Sequence, residues 1–400
     1  MQAQAEQQVA RRRVFYIPGY DPFHPRRYRE LYRREAARQA EISGFEIALK
    51  GKHGGDRYGW HVAAQIEGSE VEADVEVLVW SDIVKDSMDQ SILGTYRQLV
   101  RTAWVYIATG ALWWLMRLRK GPVIAALYPV GFLLLQLALA LLAARLLGAV
   151  LGLLHPWAAW AGLLAVWPVL EAFRRRDNRF FAYYLMHDYA YSAQYCGANP
   201  PALEARLDQF RARIREALSE SYDEVLVVGH SSGAHLAVHV LADLTREGVP
   251  DAPPLGFLSL GQVVPMVSFL PRAQRLRRDL VTLSEQDRIP WVDITAPGDG
   301  CAFALCDPVK VSGVATPAQK GPLILSAAFT KTLSAARWRE LRWRFFRLHF
   351  QYMCAFDRPG DYDYFRVTAG PLTLAQRFAG RAPSASRIET PVSPFTDLGA

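Results

Sequence analysis

Between Val123 and Leu170 the chain runs 48 residues with a single charged side chain, Arg145. A bilayer core of about 30 Å is crossed by roughly 20 apolar residues in a helix. The interval therefore predicts two spans, near 121–143 and 147–170, with Arg145 and the His155-Pro156 pair close to the turn or to one interface. Arg117, Arg119 and Lys120 precede the first span, and Arg174, Arg175 and Arg176 follow the second. Basic flanks at both outer ends predict that both lie on the cytoplasmic side, so the hairpin enters and leaves by one face. The competing expectation is a helical hairpin buried inside a large soluble domain. The apolar stretch Trp104 to Met116 is too short to span alone and is expected to be an interfacial or cap helix. The polar N-terminus lacks the apolar segment of a cleavable signal peptide.

This hairpin interrupts an α/β pattern instead of preceding it. Upstream, Val14-Phe15-Tyr16-Ile17 runs into Pro18-Gly19-Tyr20, followed by a charged helix over about 25–42 and strands over 59–66 and 73–80. Downstream come a helix over 201–220, a strand ending at Gly229, a strand over 255–260, a helix over 273–286 and a strand over 291–296. Alternating strands and helices predict a mostly parallel sheet flanked by helices. Neither half completes a core alone. Residues 1–100 and 177–380 are therefore expected to form one domain, 101–176 an inserted membrane region, and 381–400 a loose tail.

The chemistry centres on Glu224-Val-Leu-Val-Val-Gly229-His230-Ser231-Ser232-Gly233, a strand, a tight turn and the start of an apolar-periodic helix. In that setting a G-x-S-x-G match becomes a nucleophile elbow. Gly229 and Gly233 let the helix pack close to the strand, and Ser231 is left on the turn at a helix N-terminus, whose dipole favours a developing oxyanion. The bland alternative is a structural glycine turn.

With the Pro18-Gly19-Tyr20 loop far upstream, this elbow resembles the α/β-hydrolase superfamily, in a membrane-anchored, bacterial-type form, over about 13–82 and 189–370. The resemblance implies an α/β-hydrolase sheet and the chain order nucleophile, acid, base. Asp299 lies three residues beyond the end of a late strand and is the first expectation for the acid. Asp307 and then Asp293 are the alternatives, and a turn-forming Asp in Gly-Asp-Gly is the competing account of Asp299. His349 is the one histidine downstream of Asp299, and its His-x-x-Tyr setting with Tyr352 resembles that of some lipase-like members. The oxyanion hole is expected from the backbone N–H groups of Ser232 and Tyr20, with Pro-Gly standing where the family has His-Gly.

Other chemistries are poorly supported. The net charge of +7 comes without a nucleic-acid motif, which favours an anionic membrane surface over nucleic acid. Cys301 and Cys306 lack a second pair at zinc spacing, and His235 and His239 lack the glutamate of a zincin helix. No metal or cofactor is expected. Lys331 to Arg347, rich in arginine and aromatics, reads as one helix that either lies on an anionic membrane or shows a solvated basic face. The expected function is a membrane-anchored serine hydrolase on the cytoplasmic side, cleaving an ester, with lipid acyl esters among the expected substrates, through an acyl-enzyme. A non-catalytic membrane scaffold and an acyltransferase or thioesterase on the same triad are the alternatives.

Overall fold

The computed structural model describes residues 8–51, 57–88 and 91–399. Its strands are β1 (Arg11–Ile17), β2 (Glu46–Gly51), β3 (Gly59–Ile66), β4 (Ser69–Val77), β5 (Glu224–His230), β6 (Leu255–Leu260), β7 (Trp291–Thr295) and β8 (Leu323–Ser326). They form one eight-stranded sheet in the order β2-β3-β4-β1-β5-β6-β7-β8. Only β3 runs against its neighbours; every other pairing is parallel. Strands from the two sides of the insertion meet at β1 and β5, where Arg12 lies opposite Glu224 and Ile17 opposite Gly229. The chain thus builds one sheet from both halves.

The central strands are apolar on both faces because both are covered. Val14, Tyr16, Leu226 and Val228 face a core shared with Tyr28 and Tyr32 of α1 (Arg26–Ser43) and with Leu348 and Tyr352 near the C-terminus. Phe15, Ile17, Val225 and Val227 alternate to the other face, against α9 (Pro201–Leu218) and α10 (Ser232–Glu247). A buried ion pair fastens the centre: Arg12 Nε donates to Glu224 at 2.6 Å, and its other nitrogens donate to the carbonyls of Gly370 and Leu372. Such satisfaction matters, since an unpaired buried charge typically costs about 3–5 kcal/mol.

Between the halves lie α2 (Ser81–Met88), α3 (Ile92–Ala108), α4 (Ala111–Leu118), α5 (Lys120–Gly152), a 3-10 segment (Pro156–Ala165), α6 (Val166–Arg174), α7 (Asp177–Phe180) and α8 (Ala182–Ala193). Two stretches, Lys120–Gly152 and Pro156–Arg174, are long and apolar enough to cross a membrane, with mean hydropathies of 2.2 and 1.2. The turn falls at Leu153-Leu154-His155, not at 144–146 as expected, and Arg145 lies inside α5. Ala, Leu and Arg around Arg145 are strong helix formers, whereas Pro156 holds His155 extended and ends the run. The two limbs meet backbone to backbone: a Cβ on Gly162 would sit 2.3 Å from the carbonyl of Ala144, and one on Gly148 would sit 2.6 Å from that of Ala159. Small residues inward and leucines outward is the packing of helices in lipid.

Three further expectations are corrected. The stretch Trp104–Met116 is divided between α3 and α4 by Gly110 in the left-handed conformation. The basic stretch 331–347 is three short helices rather than one, broken where Leu333 turns extended and where Ser334 caps the next turn by accepting from Arg337 N–H. The segment from Arg381 is docked, not loose: Ile388 N–H bonds the Leu305 carbonyl, Asp307 N–H bonds the Ile388 carbonyl, and Lys310 pairs with Glu389.

Candidate active site

The C-terminal ends of β1, β5, β6 and β7 share one sheet edge, and the order of connection reverses between β1 and β5. Such a switch point leaves a crevice where loops diverge. Ser231 stands there, between β5 and α10, at φ 56° and ψ −123°. A non-glycine residue at positive φ is strained and held only by its surroundings. Ser231 N–H bonds the Leu260 carbonyl at 2.9 Å, tying the turn to β6. Both glycines of the turn stand against backbone. A Cβ on Gly233 would lie 2.0 Å from the Ile17 carbonyl oxygen, and one on Gly229 2.7 Å from that of Gly233. Gly19, in the loop after β1, faces Ser231, since its Cβ would lie 3.0 Å from Ser231 Cβ.

His349 ends a short helix, Phe345–His349, and its Nδ1–H donates to Asp299 Oδ2 at 2.7 Å. Asp299 is 1% exposed and also accepts from Tyr352 Oη at 2.9 Å and from Cys301 N–H at 2.9 Å. Burial alone would raise this carboxyl, but the charge and hydrogen bond of His349, with the Cys301 and Tyr352 donors, hold it below the usual carboxylate range. The pair reaches toward the elbow: a Cβ on Gly261, the residue after β6, would lie 3.1 Å from His349 Cε1. Ser231 Oγ itself makes no hydrogen bond among the described residues, so the expected Ser231–His349 bond is not closed in this conformation. Catalytic hydrogen bonds often tighten only when substrate is bound.

The two alternative acids are occupied elsewhere. Asp307 caps the Pro308–Val311 helix, accepting from the N–H groups of Val309 and Lys310, and also holds Gln319. Asp293 accepts from Ser259 Oγ at 2.6 Å inside the sheet, where burial pushes its carboxyl up to about 8. The expected oxyanion donors are free. Neither Tyr20 N–H nor Ser232 N–H is hydrogen-bonded among the described residues. The loop carrying Tyr20 is braced by Trp80, whose Nε1–H donates to the Pro18 carbonyl at 3.0 Å, and by Tyr184 Oη on the Tyr20 carbonyl.

Two residues of the site were not anticipated. His230 was expected only as an elbow position, yet its Nε2–H donates to the His349 carbonyl at 2.9 Å, and burial followed by the His349 charge pushes it down to about 3. It is a neutral strut for the backbone of His349. Asp188, one helical turn beyond Tyr184 on α8, lies within the electrostatic reach of His349, Tyr20, Tyr184 and Cys301. Burial pushes its carboxyl up to about 7, with the His349 charge opposing.

Asp299, Cys301 and His349 bring ligand atoms within 4.8 Å of one another and are the one group among the described residues that could hold a metal ion. Burial, then the charges of Asp299 and Asp188, push the Cys301 thiol well above its ordinary value, which disfavours the thiolate that zinc requires. Elsewhere, His239 bonds Asp279 at 2.6 Å between α10 and the Gln274–Glu285 helix.

The site also sits at the root of the apolar hairpin. Gly300, beside Asp299, approaches Gly121 at the start of α5, where a Cβ would lie 3.9 Å from Gly300 Cα. Phe181, just beyond the second limb, packs on Phe346 at a centroid distance of 5.3 Å. Both crossings between sheet domain and hairpin therefore flank the segment leading to His349. No protein-family model matches the chain, and no curated protein or solved structure matches it. The site is read from its own geometry.

Proposed function

We propose that the protein is a membrane-anchored serine hydrolase of α/β-hydrolase type that cleaves carboxylic esters. The observation that carries this reading is the buried His349–Asp299 pair, whose imidazole lies beside Gly261 at the end of β6, next to the Leu260 carbonyl that holds the strained Ser231. Ser231 Oγ attacks the ester carbonyl carbon and passes its proton to His349 Nε2. Asp299 keeps the imidazole oriented and stabilises the imidazolium. The carbonyl oxygen, now negative, is received by Tyr20 N–H and Ser232 N–H at the start of α10; one such donor is typically worth about 3 kcal/mol in the transition state. His349 returns the proton to the departing alkoxide, leaving an acyl-Ser231 ester. Water then attacks that ester with His349 again as base, the carboxylic acid leaves, and Ser231 regains its proton.

The hairpin is the proposed anchor, with Arg119, Lys120 and Arg174–Arg176 holding its root on the cytoplasmic side. A site at that root suits acyl esters of lipids as well as soluble ones. With a soluble nitrophenyl butyrate and the full chain in detergent, a near-stoichiometric burst of nitrophenol precedes a slower steady rate, and EDTA changes neither. A burst-free reaction that chelation abolishes would assign the chemistry to a metal at Asp299, Cys301 and His349 instead.

A further inference from the structure

Resting on the hydrolase and anchor readings above, we infer that the Arg342–Phe345 turn is a membrane-seating wedge that takes anionic phospholipid headgroups and delivers an acyl lipid of that leaflet to Ser231. The turn joins two short helices, Ala335–Leu341 and Phe345–His349. Trp343 is 72% exposed at its tip, and Phe345 beside it is 44% exposed. An indole left this open in water is unfavourable, whereas at a bilayer's headgroup level it is a preferred anchor. Arg342 lies over the Trp343 ring at 5.6 Å, so cation and indole form one amphipathic unit. Arg344 and Arg347 stand next to it and share a single acid, Glu340, leaving the turn with excess positive charge. Each arginine near an anionic surface adds to the attraction.

Continuity with the hairpin identifies the occupant as lipid. Phe345 packs on Gly300, whose Cβ would meet the ring at 3.2 Å, and Gly300 in turn touches the first residues of α5. On the same root, Trp104 of α3 is 71% exposed, one residue from Val105, which packs with Val123 of α5. The wedge is also coupled to the chemistry. Phe346 follows it directly and meets Tyr184, the residue that braces the loop carrying Tyr20, edge-on at 6.2 Å, and His349 lies within the same short helix. A lipid lifted beside Trp343 thus lies on the side of the fold that carries Phe346, Tyr184 and the helix ending at His349.

The test uses the full chain in nanodiscs of phosphatidylcholine with and without phosphatidylglycerol. Two substrates are compared: soluble nitrophenyl butyrate, and a fluorogenic acyl phospholipid within the disc. The wild type cleaves the lipid faster when phosphatidylglycerol is present. Trp343→Ala lowers lipid cleavage at least tenfold while butyrate cleavage stays within twofold, and Arg342→Gln removes the dependence on phosphatidylglycerol. Unchanged lipid cleavage in both variants overturns the wedge alone, as does an equal fall on both substrates. A wild type that cleaves neither substrate overturns the hydrolase reading and this inference with it.

Discussion

Replacing His349 by glutamine lowers kcat on a soluble ester by on the order of 10⁴- to 10⁶-fold, with KM and thermal unfolding close to wild type. The size follows from what the residue does alone. Among the described residues His349 is the one imidazole that bonds the buried Asp299 carboxylate; His230 is neutral and spends its Nε2–H on the His349 carbonyl. A serine hydroxyl without a base is a weak nucleophile, and the oxyanion donors alone recover only part of the acceleration. Asp299→Asn costs about 10⁴-fold, because an amide at that position favours the wrong tautomer of the ring. The two losses are not additive, since both remove the same proton transfer. Steady-state kinetics on the purified variants decide this. Wild-type turnover in His349→Gln would remove the residue from the base role.

Gly233→Val abolishes folding. A Cβ at this position would stand 2.0 Å from the Ile17 carbonyl oxygen and 2.7 Å from that of Pro18. Both obstacles are backbone, one at the last residue of β1 and one just beyond it, so no rotamer change relieves the clash. Ordinary overpacking costs about 1–3 kcal/mol; forcing α10 away from the centre of the sheet costs more, about 4 kcal/mol or beyond, which rivals the whole stability of a typical domain. Gly131→Ala is the control, because nothing lies within 4 Å of its added Cβ. Detergent-solubilised yield and melting temperature report the difference. A Gly233→Val protein that melts like wild type would mean that α10 does not pack on β1 as described.

The elbow was legible because its requirements are local: an apolar strand, two glycines at close approach and a helix at once. β3 and β6 have the bounds expected for them, and Asp299 with His349 followed from the resemblance and from elimination. Edge elements were harder. β2 and β8 are the outermost strands, so each is covered less than the centre. β2 mixes exposed and half-buried positions, and β8 is four residues long, leaving neither a strong apolar pattern. β4 was set too late because its polar start, Ser69-Glu-Val-Glu, alternates while the apolar run after it continues past the strand end. The hairpin's existence was plain from composition, but its turn was set by Pro156 and not by the charge of Arg145. Asp188 had no signal of its own. Its electrostatic influence on His349 arises only because α8 folds back over the loop that carries Tyr20, and the two residues lie 161 apart in sequence. The tyrosines around it marked the stretch as unusual without saying what it covered.

The central claim is that Ser231 is a nucleophile activated in place. A fluorophosphonate probe, incubated with the full chain in detergent and followed by peptide mass spectrometry, tests it most directly. The account predicts a single phosphonylated serine, Ser231, with labelling lost in Ser231→Ala and strongly slowed in His349→Gln. Folded wild-type protein that takes no label, or that carries it at a residue other than Ser231, would contradict it.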